Sequence, residues 1–201
     1  MMRKASPTKE ELAQLEPLDR LGLDHIVVVS TRRQADLAFQ ALETATVLGF
    51  DTESKPTFLR DQVSEGPHVV QFSTLHQAYV FQLHDAGCCD IVSALLVSER
   101  IIKVGFGLAG DHVQIMRTLG VHPQKVLDLN VVFREKGYMK ELGVRGAVAV
   151  VFNRRFLKSR KATTSNWANR QLSESQIIYA ANDAWAAIQV FNALGLGSGQ
   201  V

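Results

Sequence analysis

The stretch that decides the fold is Val47-Leu48-Gly49-Phe50-Asp51-Thr52-Glu53, an apolar run that ends in two carboxylates. Its short apolar length predicts a buried strand. Side chains two apart on a strand leave on the same face, so Asp51 and Glu53 should lie side by side. Two like charges held together repel each other, and a hard divalent cation with oxygen ligands would relieve that repulsion. The alternative is that Asp51 caps a turn and Glu53 is solvated, since this spacing is common.

The composition is that of an ordinary globular protein. Of the 201 residues, 46% are hydrophobic and 21% are charged, with a formal net charge of +2. That length can bury the core of one domain. Adjacent Cys88 and Cys89 have poor geometry for a mutual disulfide and fit a reducing compartment. No apolar run could span a membrane, and the N-terminus lacks an apolar leader. We therefore expect a cytoplasmic protein without membrane contact.

Strand and helix patterns around the central stretch predict a mixed sheet. A β-branched strand at 25–30 and a helix behind an apparent capping box at 31–34 precede it. Two strands follow, 68–73 and 78–82, and the short turn between them implies an antiparallel hairpin. Helices and short strands then alternate, as a helix over 91–96, a strand over 101–105, a helix over 109–119, a strand over 125–129, and helices to the end.

An antiparallel meander followed by crossover units is the arrangement of the ribonuclease H-like α/β fold, in which helices flank the mixed sheet. The expected organisation is a tail with a short helix at 1–24, opened by a T-x-x-E capping box, then one domain over 25–195 and a C-terminal tail over 196–201. The sequence contains no internal repeat that would suggest another architecture.

A third carboxylate interrupts a core-facing row of the predicted helix over 109–119. Leu108, Asp111, Ile115 and Leu119 recur at spacings of three and four and so share one stripe. An aspartate aimed inward needs a partner, because burying it uncompensated costs several kcal/mol or more. The alternative is a first-turn aspartate stabilised by the helix dipole.

A fourth carboxylate and a phenol lie on the last long helix. Ser173 to Gln176 reads as a capping box that opens this helix. Tyr179 and Asp183 follow at a spacing of four, which places their side chains one above the other. Taken alone, this pair also fits a purely structural role.

In this order and context, the four acids and the tyrosine resemble the DEDD superfamily of 3′-5′ exonucleases. The most distinctive segments are Gly105-Phe106-Gly107-Leu108-Ala109-Gly110-Asp111, Ser165-Asn166-Trp167, and Tyr179-Ala180-Ala181-Asn182-Asp183-Ala184. A tyrosine four residues before the last aspartate is typical of the DEDDy branch, which includes ribonuclease D and the exonuclease domain of the Werner syndrome helicase. The sister branch has a histidine five residues before that aspartate, where this chain has Ile178.

The resemblance implies a metal-dependent exonuclease whose catalytic residues are Asp51, Glu53, Asp111, Tyr179 and Asp183. Two Mg²⁺ or Mn²⁺ ions would be held by the four acids, since oxygen-only ligands favour these metals. Asp51 would bridge both ions, Glu53 and Asp183 would complete one site, and Asp111 would hold the second ion largely through water. Tyr179 would chiefly position the attacking water. Related stand-alone domains include ring-forming oligomers, so a monomer and a homo-oligomer both remain open.

Basic residues are segregated in a way that favours a polyanionic partner, independently of the resemblance. Between Glu141 and Glu174 no acid occurs, while the basic residues are Arg145, Arg154, Arg155, Lys158, Arg160, Lys161 and Arg170. The part over 158–165 reads as a flexible loop suited to phosphate contacts through Lys158, Arg160 and Lys161. A solvated surface loop is the alternative. Trp167 is a candidate for stacking on a base, and the alternative is a role in the core or in docking a helix.

Three hypotheses from different classes follow. The leading one is a 3′-5′ exonuclease that acts on the 3′ ends of RNA or DNA. The second is a catalytically silent nucleic-acid-binding module of the same fold, which the intact set of acids disfavours. The third is a structural protein with coincidental acids, which leaves the segregated basic residues unexplained.

Overall fold

A computed structural model describes residues 3–57 and 63–197, within which six strands form one sheet in the order β1-β4-β3-β2-β5-β6. The strands are β1 (Ile26–Val29), β2 (Val47–Glu53), β3 (Val69–Ser73), β4 (Ala78–Gln82), β5 (Ile102–Gly105) and β6 (Val126–Asp128). Strands β2, β3 and β4 form an antiparallel meander, whereas β1, β5 and β6 join their neighbours in parallel. The predicted ribonuclease H-like mixed sheet is confirmed.

Helices cover both faces of this sheet. They are α1 (Lys9–Gln14), α2 (Arg32–Leu42), α3 (Ala86–Val97), α4 (Ala109–Leu119), α5 (Leu129–Glu135), α6 (Gly143–Phe152), α7 (Arg160–Thr163) and α8 (Glu174–Ala193), with a 3₁₀ turn at Leu23–His25. Phe50, Phe72 and Phe81 point to one face and form a core with α2 and α3. Because side chains alternate along a strand, Asp51 and Glu53 point to the other face, which α8 covers.

Helix α8 lies unusually close to β2, and Gly49 makes this approach feasible. A Cβ at Gly49 would lie 2.0 Å from the backbone oxygen of Ala184. Small side chains on α8, including Ala180 and Ala187, are buried in the same interface. The close packing brings the middle of α8 against the carboxyl end of β2, where Asp51 lies.

The caps at the helix ends are mostly as the sequence predicts. The capping box of α8 forms, since Ser173 Oγ accepts from the Gln176 N–H and Gln176 Oε1 accepts from the Ser173 N–H. The capping box expected at α2 is wrong in its second half. Thr31 Oγ1 accepts from the Gln34 N–H, but the backbone N–H bonded to Gln34 Oε1 is that of Ser30. The Gln34 side chain therefore bonds the backbone N–H one residue before the N-cap Thr31, rather than that of Thr31 itself.

The chain before β1 is fastened to the domain. The N–H of Leu21 donates to Asn182 Oδ1 at 2.9 Å, and Asn182 Nδ2 donates to the Leu21 carbonyl at 3.2 Å. Backbone bonds also join Arg155 to Glu16 and to Leu18. The expected short helix with its capping box is present as α1. The segment that follows it is thus attached to α8, one residue away from Asp183.

Among the residues that the structure describes, none of the helices combines the length and the apolarity that crossing a bilayer would require.

Candidate metal centre

Three of the four predicted acids meet at the carboxyl end of β2. Each of Asp51, Glu53 and Asp183 offers a carboxylate oxygen, and these oxygens all lie within 4.8 Å of one another. Asp51 and Glu53 share a strand face, while Asp183 arrives from α8 through the close packing at Gly49. Residues from opposite ends of the chain therefore form one cluster of negative charge, called here the acid cluster.

The acid cluster is electrostatically strained, as the proton affinities of its members show. Burial, followed by the charges of Asp183 and Asp111, raises the pKa of Asp51 well above its ordinary value. Burial and the neighbouring Asp51 raise the pKa of Glu53 to about 9. Burial also raises the pKa of Asp183, although Lys158 opposes that shift. The carboxylates thus resist being charged together unless positive charge is nearby.

Asp111 lies beside the acid cluster but outside the set of mutually close oxygens. It occupies the first turn of α4, where its Oδ1 accepts a hydrogen bond from the Thr52 hydroxyl. Burial raises its pKa, and the Thr52 hydrogen bond acts in the opposite direction. The structure therefore brings Asp111 near enough to influence Asp51 electrostatically while its carboxylate is bonded to the neighbouring residue of β2.

The turn that delivers Asp111 is shaped by glycines. A Cβ at Gly105 would lie 2.5 Å from the Phe50 carbonyl oxygen, so β5 and β2 approach closely at their carboxyl ends. Gly107 has φ of 71°, a left-handed conformation that favours glycine. The N–H of Leu108 then donates to Asp128 Oδ2 at 3.1 Å, which fixes the start of α4 against the end of β6. These local requirements explain the Gly-Phe-Gly segment.

Tyr179 presents its hydroxyl to the acid cluster from α8. Its oxygen accepts a hydrogen bond from the Thr163 hydroxyl at 3.1 Å, and the phenol lies near enough to Asp183 for the two groups to interact electrostatically. Burial, followed by the charge of Asp183, raises the pKa of Tyr179 to about 12. The phenol therefore keeps its proton at neutral pH, which suits a positioning group better than a base.

Lys158 approaches the acid cluster more closely than a surface loop residue would. Its Nζ lies 2.6 Å from Asp183 Oδ2 and 5.0 Å from the centroid of the Tyr179 ring. Burial lowers the pKa of this ammonium, but the charges of Asp183 and Asp51 outweigh burial and raise it overall. Lys158 is thus a permanent positive charge at the cluster.

The rest of the basic segment departs from the sequence prediction in one respect. The stretch predicted as a flexible loop contains one helical turn, α7, whose N-cap Ser159 accepts from the Ala162 N–H. Lys161 is exposed, whereas the side chain of Arg160 lies outside the described part of the structure.

Trp167 is 1% exposed and packs against Tyr179, with 5.9 Å between the ring centroids. The suggestion that Trp167 stacks on a base is therefore wrong for this structure, because its indole belongs to the core.

Gln71 is a buried polar residue beside the acid cluster that the sequence did not lead us to predict. It pairs in register with Asp51 across β2 and β3, so both side chains lie on the face covered by α8. Gln71 is fully buried, and within the described ranges neither end of its carboxamide has a hydrogen-bond partner. A lone glutamine inside Val69-Val70-Gln71-Phe72 was the available signal, since buried polar groups are rarely placed in a core strand without a purpose.

The acid cluster fits a magnesium-like ion. Oxygen ligands on opposite sides of Mg²⁺ are about 4.2 Å apart, given metal–oxygen distances of 2.0–2.1 Å. Three carboxylate oxygens within 4.8 Å of one another can converge on such an ion after small side-chain movements. A groove of about 340 Å³ opens beside them, lined among others by Asp51, Phe106, Asn130, Lys158 and Asp183.

The sequence model of the 3′-5′ exonuclease family matches residues 26–196, which is most of the chain. The chain belongs to the 3′-5′ exonuclease family. The relatives from other organisms agree with this assignment. The bifunctional 3′-5′ exonuclease/ATP-dependent helicase WRN of Mus musculus is 29% identical over 156 residues, and a 3′-5′ exonuclease of Arabidopsis thaliana is 26% identical over 180 residues.

These alignments cover 77% and 88% of this chain but only 11% and 60% of the respective relatives. The chain therefore spans only part of the length of these family members. Among solved structures, Trypanosoma brucei RNase D in complex with RNA U12 superimposes with a TM-score of 0.74 at 21% identity, covering 92% of this chain and 64% of that one. At that identity the superposition establishes the shared fold.

Proposed function

We propose that this exonuclease-family chain is an active, metal-dependent 3′-5′ exonuclease that hydrolyses terminal phosphodiester bonds of nucleic acid. The observation that carries the proposal is the convergence of Asp51, Glu53 and Asp183, whose carboxylate oxygens lie within 4.8 Å of one another. Catalytically inactive modules of a fold have no need to keep such a destabilising arrangement. The solved complex of a structural relative with RNA supports nucleic acid as the substrate class.

Asp51, Glu53 and Asp183 would hold one Mg²⁺ or Mn²⁺ ion, and Asp51 with Asp111 would hold a second. When bound, such a pair of ions stabilises the entering and leaving oxygens of an in-line displacement. Asp111 must exchange its Thr52 hydrogen bond, at least in part, for this role.

Tyr179 would orient the attacking water through its hydroxyl, which keeps its proton at neutral pH. The hydrogen bond from the Thr163 hydroxyl helps to fix the direction of that phenol. The adjoining groove, with Lys158 on its wall, would receive the terminal phosphate and nucleotide.

The direct test is incubation of 5′-labelled RNA and DNA oligonucleotides with the protein in Mg²⁺ or Mn²⁺. A ladder that shortens from the 3′ end is the expected result, and the comparison of single-stranded and duplex substrates defines the preference. Asp51→Asn protein from the same preparation shows whether a contaminating nuclease is responsible. Binding without shortening would instead support the catalytically silent module.

A second measurement tests the basic segment. Replacing Lys158, Arg160 and Lys161 together with methionine should weaken oligonucleotide binding and flatten its dependence on salt, because each phosphate contact releases about one counter-ion. An unchanged salt slope would remove this segment from the binding surface.

A further inference from the structure

The ammonium group of Lys158 lies at the carboxylate oxygens that are proposed to bind metal. Its Nζ is 2.6 Å from Asp183 Oδ2, and the lysine side chain is only 25% exposed. The aspartate side chain is 3% exposed, so the pair is largely shielded from solvent. At this distance and burial the two groups form a close, shielded ion pair rather than a loose surface one.

A divalent ion on the acid cluster would have to share this carboxylate with the ammonium. With metal–oxygen distances of 2.0–2.1 Å, the two cations would lie within about 5 Å of each other. Two positive charges at that separation repel strongly in a shielded site. The ammonium and the metal are therefore alternatives at Asp183 rather than partners.

The structure also offers the lysine a second place. The Lys158 carbonyl accepts a hydrogen bond from Arg145 Nη2 at 3.1 Å, which ties the backbone at this position to α6. The side chain lies on the wall of the groove of about 340 Å³ that opens beside Asp51 and Phe106. Rotation of the side chain alone can carry the ammonium from Asp183 into this groove.

We propose that Lys158 is a built-in counter-ion that competes with the first divalent ion for Asp183 and, once displaced, turns into the groove to contact the substrate phosphate. This inference rests on the proposed function, because it assumes that the acid cluster binds metal. It assigns Lys158 two successive partners, a carboxylate before metal binding and a phosphate after it. The residue thereby couples metal loading to readiness for the substrate.

The test is isothermal titration of EDTA-stripped protein with Mn²⁺, for wild type and Lys158→Met. Removing the competing ammonium should tighten Mn²⁺ binding by about tenfold, which is a typical coupling between two ligands. The melting temperature of stripped Lys158→Met should be lower than that of stripped wild type, because the carboxylates lose their positive partner. Mn²⁺ should therefore raise the melting temperature more in the variant.

Lys136→Met is the control, since it removes the same charge from an exposed position outside the basic segment. Its Mn²⁺ affinity should stay within about twofold of wild type, because an exposed surface charge is screened. Asp51→Asn shows that the measured heat comes from the acid cluster. If Lys158→Met does not fold, Lys158→Gln keeps a polar side chain of similar length without the charge and is titrated instead.

Mn²⁺ affinity that is unchanged or weaker in the position 158 variant overturns the inference, whatever the nuclease assay shows. If the variant gives that result while wild type binds Mn²⁺ and shortens oligonucleotides, the inference fails and the proposed function stands. If wild type binds no Mn²⁺ at all, the inference and the proposed function fail together.

Discussion

Within residues 3–57 and 63–197, charged side chains are buried at Lys103 and at the acid cluster, and the two burials are stabilised in different ways. Lys103 is fully buried in β5, and its Nζ donates to the carbonyls of Ser98 and Ile101 at 2.7 and 2.8 Å. The acid cluster instead gathers three carboxylates, with Lys158 as a close cation. The lysine is satisfied by its own segment, whereas the cluster carries an excess of negative charge. A buried charge with local acceptors serves the fold, and a buried excess of one sign points to an external ligand.

The largest expected effect comes from relieving the excess at its centre. Asp51→Asn should lower the cleavage rate by about a thousandfold or more, because the metal clamp is worth several kcal/mol in the transition state. The stripped variant should be as stable as wild type or more so, since repulsion falls. Single-turnover rates and melting curves in EDTA measure both.

Asp90→Asn is the control for this substitution, because it removes a carboxylate that is 69% exposed. It should change neither quantity. Near-normal turnover in Asp51→Asn would remove Asp51 from the proposed bridging position and would weaken the contrast with Lys103.

The next effect tests whether the acid cluster depends on packing between elements that are distant in sequence. Lys103 does not, because its hydrogen-bond partners lie in its own segment. Gly49→Ala would push a methyl group into the Ala184 carbonyl, so α8 must move away from β2. We expect a loss of about 2–3 kcal/mol in the free energy of unfolding and weaker Mn²⁺ binding. Urea unfolding and Mn²⁺ titration provide the two readings.

Gly110→Ala is the matched control, since a Cβ there meets nothing within 4 Å and the residue lies in α4. A gain of about 0.5–1 kcal/mol is expected for this change. Equal stability of the two alanine variants would show that the interface at Gly49 can widen to accept a methyl group at little cost.

A smaller effect separates positioning from metal binding within the cluster. Tyr179→Phe removes the hydroxyl to which Thr163 donates, so cleavage should fall about tenfold to a hundredfold while Mn²⁺ affinity stays the same. The rate in saturating substrate and the Mn²⁺ titration are compared. Loss of Mn²⁺ binding in this variant would mean that Tyr179 supports the carboxylates rather than the water.

The smallest effect sharpens the other side of the comparison through pH. Burial lowers the pKa of Lys103 from an ordinary 10.5 to about 8. Between these values the unfolded chain binds more protons, so the contribution of Lys103 to stability is complete above pH 10.5 and is lost as the pH falls through 8.

Relative to Lys103→Met, wild type should therefore gain about 1 kcal/mol of unfolding free energy per pH unit between pH 8 and 10. Denaturant unfolding of both proteins across this range measures the difference. A difference that stays constant with pH would show that the lysine keeps its charge in the folded protein.

Much of the fold could be predicted because local signals and burial patterns agree. The hairpin of β3 and β4 follows from the short turn between two apolar runs, and the pattern from Ser173 to Gln176 predicts the start of α8. The parallel placement of β1 beside β4 depends on a crossover that no local pattern specifies. The proximity of Asp51, Glu53 and Asp183 was predicted from their order and resemblance rather than from local physics.

The features missed from sequence are those that depend on long-range packing. Lys158 was predicted as a phosphate contact on a flexible loop, and its ion pair with Asp183 was missed because that contact exists only after α7 and α8 have docked. Trp167 looked available to a base, yet the segment before α8 folds inward and Gln176 Nε2 secures it to Ser165 and Asn166. The polarity of a side chain indicates which chemistry it can perform. Whether that side chain faces the solvent, the core or the acid cluster depends on the tertiary contacts.

The two hydrogen bonds between the Asn182 side chain and the backbone of Leu21 have a practical consequence for the design of shortened versions of this protein. The family alignment starts at residue 26, so a domain trimmed to that boundary would discard the N–H and the carbonyl of Leu21, while the Asn182 amide would keep its bond to the Ile178 carbonyl. The carboxamide oxygen, which accepts only the Leu21 N–H among the described contacts, would lose its partner, and a buried acceptor without a partner costs about 1–3 kcal/mol. Because Asn182 precedes Asp183 on α8, trimming would loosen the helix at the turn that supplies a proposed metal ligand.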